Sequence, residues 1–133
     1  MANIFIQLTK LRNFEKRHLP YLRSIEDFDI VRSVGAGQEL GQPFLLKHLY
    51  VEGIGSVATV TRRLNRLRAQ GTLIASSHNG DKRNIALSLA PTVLKTYMRY
   101  GILLTSIGEL VKGSSAKDAF HDGTESVLPE ADF

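Results

Sequence analysis

Residues 56–89 read SVATVTRRLNRLRAQG-TLIASS-HNGDK-RNIALSL, an arginine-studded segment followed by two short apolar-alternating runs around a turn. On a 3.6-residue period, Val57, Val60, Leu64 and Leu67 form one narrow apolar stripe. Ala58, Thr59, Arg62 and Arg66 lie opposite, with Arg63 beside them. Ser56 is a good N-cap, and Gly71 is placed to end the helix as a C′ glycine. After it, Leu73 and Ala75 share a face with Ile85, Leu87 and Leu89, as in a half-buried hairpin. Asn79-Gly80-Asp81 supplies the turn, because Asn and Gly both tolerate positive φ. A helix that buries one stripe and shows small, hydroxyl and guanidinium groups on the other suits the major groove of duplex DNA. Lys82 and Arg83 at the hairpin tip offer a second contact, to phosphates or the minor groove. The stretch reads as the recognition helix and wing of a winged helix.

Charge supports the same reading. The 133-residue chain carries a formal net charge of +4. Residues 54–99 hold eight Lys/Arg against Asp81 alone, whereas residues 112–133 hold two basic against five acidic residues. Positive charge is thus gathered on the helix and hairpin, the footprint of a polyanion partner. The length is that of one domain with a shared core. The absence of cysteine removes disulfides and thiolate metal sites and points to a reducing compartment. The first residues, MANIFIQLTKLRNFEKR, contain no uninterrupted apolar run, so neither a signal peptide nor a membrane span is expected, and the protein is read as soluble and cytoplasmic.

Upstream, Ile4, Leu8, Leu11 and Phe14 are spaced for a short helix that Leu19-Pro20 should end. Ser24-x-x-Asp27 resembles a capping box and opens a second helix with Ile25, Phe28, Val31 and Val34 inward. Gly35-Ala36-Gly37 reads as that helix's terminus, since no strand precedes it to make a phosphate loop. Gln42-Pro43 starts a third helix with Phe44, Leu45, Leu46, Leu49 and Tyr50 on its apolar side. A glycine-bearing turn at 51–55 joins it to the arginine helix, completing a helix-turn-helix. Pro91 restarts a helix in which Val93, Leu94, Tyr97, Met98, Gly101, Leu104, Ile107 and Val111 recur at helical spacing. That helix is too apolar to stand in solvent, and burial against a second subunit is the simplest account. Residues 113–133 are polar, acidic and unpatterned and are read as a flexible tail, leaving 1–112 as the folded domain.

The order of elements resembles the MarR-type winged-helix regulators of bacteria. Ala58-Thr59-Val60-Thr61-Arg62, Leu67, Gly71 and Leu73-Ile74 carry the likeness, as does Asp81-Lys82-Arg83, which matches that family's D-x-R wing. Leu87-Ser88-Leu89-Ala90-Pro91 resembles its wing-to-helix junction, and the match covers about residues 22–105. The chain departs from the pattern in having Ala90 where Thr usually caps the last helix, Val93 where Gly is frequent, and a short N-terminal helix. The resemblance implies a mainly helical fold with a small β-hairpin wing and a homodimer joined by its terminal helices. Ile4, Leu8, Leu11, Leu94, Met98, Leu104, Ile107 and Val111 are expected in that interface.

On this reading Thr59, Arg62 and Arg66 face base edges, while Ser56, Thr61 and Arg63 hold phosphates. The resemblance makes Arg83 the wing's anchor, with Asp81 orienting it and Lys82 on a phosphate. A DNA-binding dimer without an evident activation surface most simply occludes a promoter, so repression is expected. The alternative is a winged helix used for protein contact without DNA, since fold alone does not fix function. Enzymatic chemistry has little support. His18, His48, His78 and His121 lack metal-ligand spacing, and no carboxylate is placed to complete a triad with Ser76-Ser77-His78. No cofactor or metal is expected, and nothing in the residues names a small-molecule effector.

Overall fold

Local signals place the helices and the hairpin, with shifted ends in α2 and α3, while β1 is a strand that only its partner creates. A computed structural model describes residues 3–118. In chain order these form α1 (Ile4–His18), α2 (Ile25–Glu39), β1 (Phe44–Leu45), α3 (Leu46–Tyr50), α4 (Val57–Ala69), β2 (Leu73–His78), β3 (Asp81–Leu89) and α5 (Pro91–Asp118). The fold is mainly helical with a small antiparallel sheet of order β1-β3-β2. The described residues divide into two compact units, residues 19–97 and the pair of terminal segments 3–18 and 98–118.

The 19–97 unit is the winged helix. Its core gathers Leu19, Leu22, Ile30, Val31, Val34, Leu49, Val60, Leu64, Leu67, Leu73, Leu87 and Leu89, with Ala90 just before α5 and Val93 in its first turn. Ala90 is thus a core residue, where a hydroxyl would need a partner. β2 and β3 pair in the register Leu73↔Leu89, Ala75↔Leu87 and Ser77↔Ile85, which puts the apolar residues of both strands on one face. The two-residue turn has positive φ at both Asn79 (52°) and Gly80 (77°), the type I′ geometry that follows the strands' own twist.

Three expectations upstream are corrected. The third helix starts at Leu46, because Phe44 and Leu45 pair with Leu87 and Ala86 of β3 instead. The open edge of β3 offers these backbones hydrogen bonds that a helix's first turn would leave unmade. Gly35 and Gly37 lie inside α2, and the chain reverses only at Gly41, with φ of +71°. They are close-packing positions: a Cβ on Gly37 would stand 2.9 Å from the Phe44 Cβ, and one on Gly35 would meet a Leu89 methyl at 3.2 Å. Ile25 is exposed, and the buried face of α2 is Asp27, Ile30, Val31 and Val34.

Gly37→Ala is therefore expected to destabilise the protein despite alanine's better helix propensity. Overpacking costs about 1–3 kcal/mol, while the propensity gain returns about 1 kcal/mol. Urea unfolding checks this; a midpoint at or above that of the parent protein would show that Phe44 yields freely.

In the other unit α1 and the later part of α5 carry a small polar-aromatic cluster. Phe14 packs on His18 (ring centroids 4.5 Å apart) and edge-on to Tyr100 (5.2 Å). The Tyr100 hydroxyl donates to Glu15 Oε2 at 2.9 Å. Burial, then the neighbouring Glu15 carboxylate, pushes the Tyr100 pKa up to about 12. The helix continues to Asp118, past Val111 where the apolar pattern stops, since propagation costs little once a helix exists. Residues 113–118 of the expected tail are thus helical, and the rest of it lies outside the described residues.

Candidate nucleic-acid interface

α4 is held at both ends by its own sequence. The Ser56 hydroxyl oxygen accepts from the Thr59 backbone N–H at 3.1 Å and donates to the Thr59 hydroxyl at 3.0 Å. At the other end Gly71 adopts φ of +82°. Its N–H reaches the Arg68 carbonyl at 3.0 Å, and the Thr72 N–H reaches the Leu67 carbonyl at 2.9 Å. These two bonds make a Schellman motif, which glycine alone adopts without strain.

The buried stripe of α4 is Val60, Leu64 and Leu67, and Val57 in the first turn is 64% exposed. The surroundings of Arg63 and Arg66 are set by a residue on α2, Asp27. The Asp27 side chain has 0% exposure and lies beneath α4. Arg63 donates to it through Nε at 2.7 Å and also through Nη2, as a two-pronged pair. Arg66 Nη1 stands 3.5 Å from the same carboxylate, and Arg66 Nη2 is buried. Asp27 also accepts the Arg23 backbone N–H at 2.9 Å. Ser24 Oγ caps the Asp27 N–H at 3.2 Å, so Ser24 and Asp27 form a variant of the capping box in which the acid reaches one residue further back. Burial alone would raise the Asp27 pKa, but the Arg63 hydrogen bonds, the Arg23 N–H and the two guanidinium charges hold it below its usual range.

Arg63 and Arg66, expected on phosphate and base edges, are therefore engaged within the protein. Thr61, expected on a phosphate, shares a 2.8 Å hydrogen bond with the Tyr50 hydroxyl of α3. Thr59 is half-buried with its hydroxyl tied to Ser56. Beyond Val57 in its first turn, α4 shows to solvent Ala58, Arg62, Asn65 and Ala69, one ridge at i, i+4, i+7 and i+11, with Arg68 flanking it. Ser56 is exposed at the helix entrance. Arg62, Asn65 and Arg68 have no hydrogen-bond or ion-pair partner among the described residues. The spacing within α4 gives no sign of its inward partners Asp27 and Tyr50, and Asn65 and Arg68 join Arg62 on its exposed side.

On the wing, Lys82 and Arg83 are exposed, Arg83 by 93%. Asp81 organises the turn: Oδ1 accepts the Arg83 backbone N–H at 2.9 Å and Oδ2 accepts Asn84 Nδ2 at 3.2 Å. The Arg83 Nε is 3.6 Å from Asp81, an ion-pair distance without a hydrogen bond, so Asp81 fixes the backbone at Arg83 more than its guanidinium.

Of the residues expected between subunits, Ile4, Leu8, Met98 and Leu104 are exposed in the single chain, Leu11 and Val111 are half-buried, and Ile107 is buried. Leu94 packs on the core of the winged helix in its own chain. Phe5, Ile6, Ile102 and Leu110 add exposed apolar surface that the spacing argument had not included. No group of His, Cys, Asp and Glu suited to a metal ion occurs among the described residues, and no described helix is long and apolar enough to cross a membrane.

A capped arginine helix following a short helix and turn, with a β-hairpin beside it, defines a winged helix-turn-helix protein. No family model matches the chain, and no curated protein matches it in sequence. Solved structures do. A protein from Bacillus cereus described as a MarR-like transcription regulator superposes with a TM-score of 0.55 at 17% identity, covering 97% of this chain and 87% of that one. A cysteine-to-serine variant of MarR from E. coli, complexed with operator DNA, gives 0.52 at 18% identity over 95% and 91%. An organohalide-sensing transcriptional regulator in its ligand-free form gives 0.51 at 13% identity over 96% and 82%. The fold is that of the MarR-type regulators.

Proposed function

We propose that this protein is a homodimeric, sequence-specific DNA-binding regulator of transcription that acts in the cytoplasm as a repressor. The observation that carries the reading is the exposed ridge of α4, where Arg62 and Asn65 stand without internal partners while neighbouring arginines are tied down. Such a ridge fits the major groove, and the exposed Lys82 and Arg83 of the wing fit the flanking backbone or minor groove. The excess of basic residues over 54–99 supplies the long-range attraction. The likeness in fold to a MarR variant crystallised with operator DNA is consistent with it.

A second copy of the chain is the natural cover for Ile4, Phe5, Ile6 and Leu8 of α1 and for Met98, Ile102, Leu104 and Leu110 of α5. Apolar surface of that extent on two adjoining segments is costly to leave in water. A two-fold dimer would place two copies of α4 in successive major grooves of a palindromic site, about 34 Å apart.

The test is a salt titration of binding to random-sequence duplex DNA, with particle mass measured in the same buffers. If six or more phosphates are contacted, affinity should fall by about a thousandfold or more between 50 and 200 mM salt. The particle should have twice the 14.8 kDa chain mass. Absence of binding at low salt would overturn the reading and favour a winged helix that contacts protein.

A further inference from the structure

Resting on the DNA-binding reading, we infer that Asn65 is a specificity-determining residue that reads an adenine beside a guanine read by Arg62. Asn65 sits in the middle of α4, exposed, where asparagine is a poor choice for a helix. Its side-chain amide has no partner among the described residues, so the cap and turn roles that usually explain asparagine do not apply. The amide presents one acceptor and a donor pair side by side. That pattern is complementary to N6–H2 and N7 on the major-groove edge of adenine, as the guanidinium fork of Arg62 is to O6 and N7 of guanine.

The geometry brings the two readers together. Asn65 follows Arg62 by three residues on the same ridge, a rise of about 4.5 Å along the helix, against about 3.4 Å per base step. The two bases should thus lie in neighbouring or next-nearest pairs. Ala58, one turn before Arg62, is small enough to let the backbone approach, and the exposed Val57 beside it adds apolar surface. Asp27 reinforces the assignment from below. By holding Arg63 and Arg66 it removes two competing guanidinium groups and leaves this ridge as the reading face.

The experiment is enrichment of bound duplexes from a randomised library by the full-length protein, its Asn65→Ala variant and its Arg62→Ala variant, followed by sequencing. The parent should enrich half-sites with an A·T pair within two steps of a G·C pair. Asn65→Ala should lose the A·T preference, by about tenfold or more in relative affinity, and keep the G·C preference. Arg62→Ala should do the reverse. Because alanine favours the helix, Asn65→Ala should melt no lower than the parent, which separates loss of reading from loss of fold. An unchanged motif in Asn65→Ala, or a parent motif lacking that A·T pair, would overturn the role of Asn65 while leaving DNA binding intact. If the parent binds DNA but enriches no sequence, sequence-specific reading fails and the inference with it, whereas loss of all binding at low salt overturns the DNA-binding reading itself.

Discussion

Asp27→Ala is expected to cost about 3–5 kcal/mol of stability, because it strips the counter-charge from a guanidinium pair packed beneath α4. The carboxylate is fully buried, and the Arg63 side chain keeps only 18% of its exposure. Removing the acid leaves Arg63 and Arg66 as like charges at a mostly buried site, and strips the Arg23 N–H and the Arg66 Nη1 of their acceptor. Urea unfolding at pH 7 measures the loss; a change under about 1 kcal/mol would mean that both arginines swing into solvent and the bridge braces nothing. The pH dependence gives a second view. The folded Asp27 pKa lies below its ordinary 3.8, so its contribution is present above that value and disappears as pH falls through the lowered folded value. The gap between the parent and Asp27→Ala should therefore close in acid below about pH 4.

Arg62 and Arg63 are adjacent in the chain and are expected to respond oppositely to removal. Arg63→Ala leaves the Asp27 carboxylate buried with only Arg66 nearby, and should lose several kcal/mol of stability for the same reason as its partner. Arg62→Ala touches no internal contact and should leave the unfolding curve within about 0.5 kcal/mol of the parent. Its effect falls on DNA, where loss of a bidentate guanine contact should weaken specific binding by about 1–3 kcal/mol, against a smaller loss on scrambled sequence. Equal losses on both DNAs would reduce Arg62 to a phosphate contact. Unchanged stability in Arg63→Ala would show that Arg66 alone satisfies the carboxylate.

The contrast explains why a helical wheel was only partly informative about the interface. Periodicity identified α4 and its core stripe, but the wheel treats every arginine off that stripe as outward. Arg66 falls on the flank of the exposed arc, and Arg63 nearer the core. Either can turn inward if something there is charged. That something is Asp27, 36 residues away from Arg63 and already explained locally by its place in a helix cap. One residue serving two purposes hides the second. Thr61 was read outward for the same reason, its partner Tyr50 lying on a different helix.

Local grammar was legible in the sequence because each signal is closed within a few residues. Ser56 satisfies an N–H three positions on, Gly71 takes a left-handed φ, and Asn79-Gly80 reverses the strands with both residues at positive φ. The alternation around Leu87 fixed which strand face is buried. Tertiary structure decided what depends on contacts distant in the chain. Phe44 and Leu45 became a strand because β3 left an edge open, and Gly37 stayed inside a helix because Phe44 lies against it. It also decided which cations of α4 face outward, because desolvating Asp27 is tolerable only if nearby guanidinium groups turn inward to meet it.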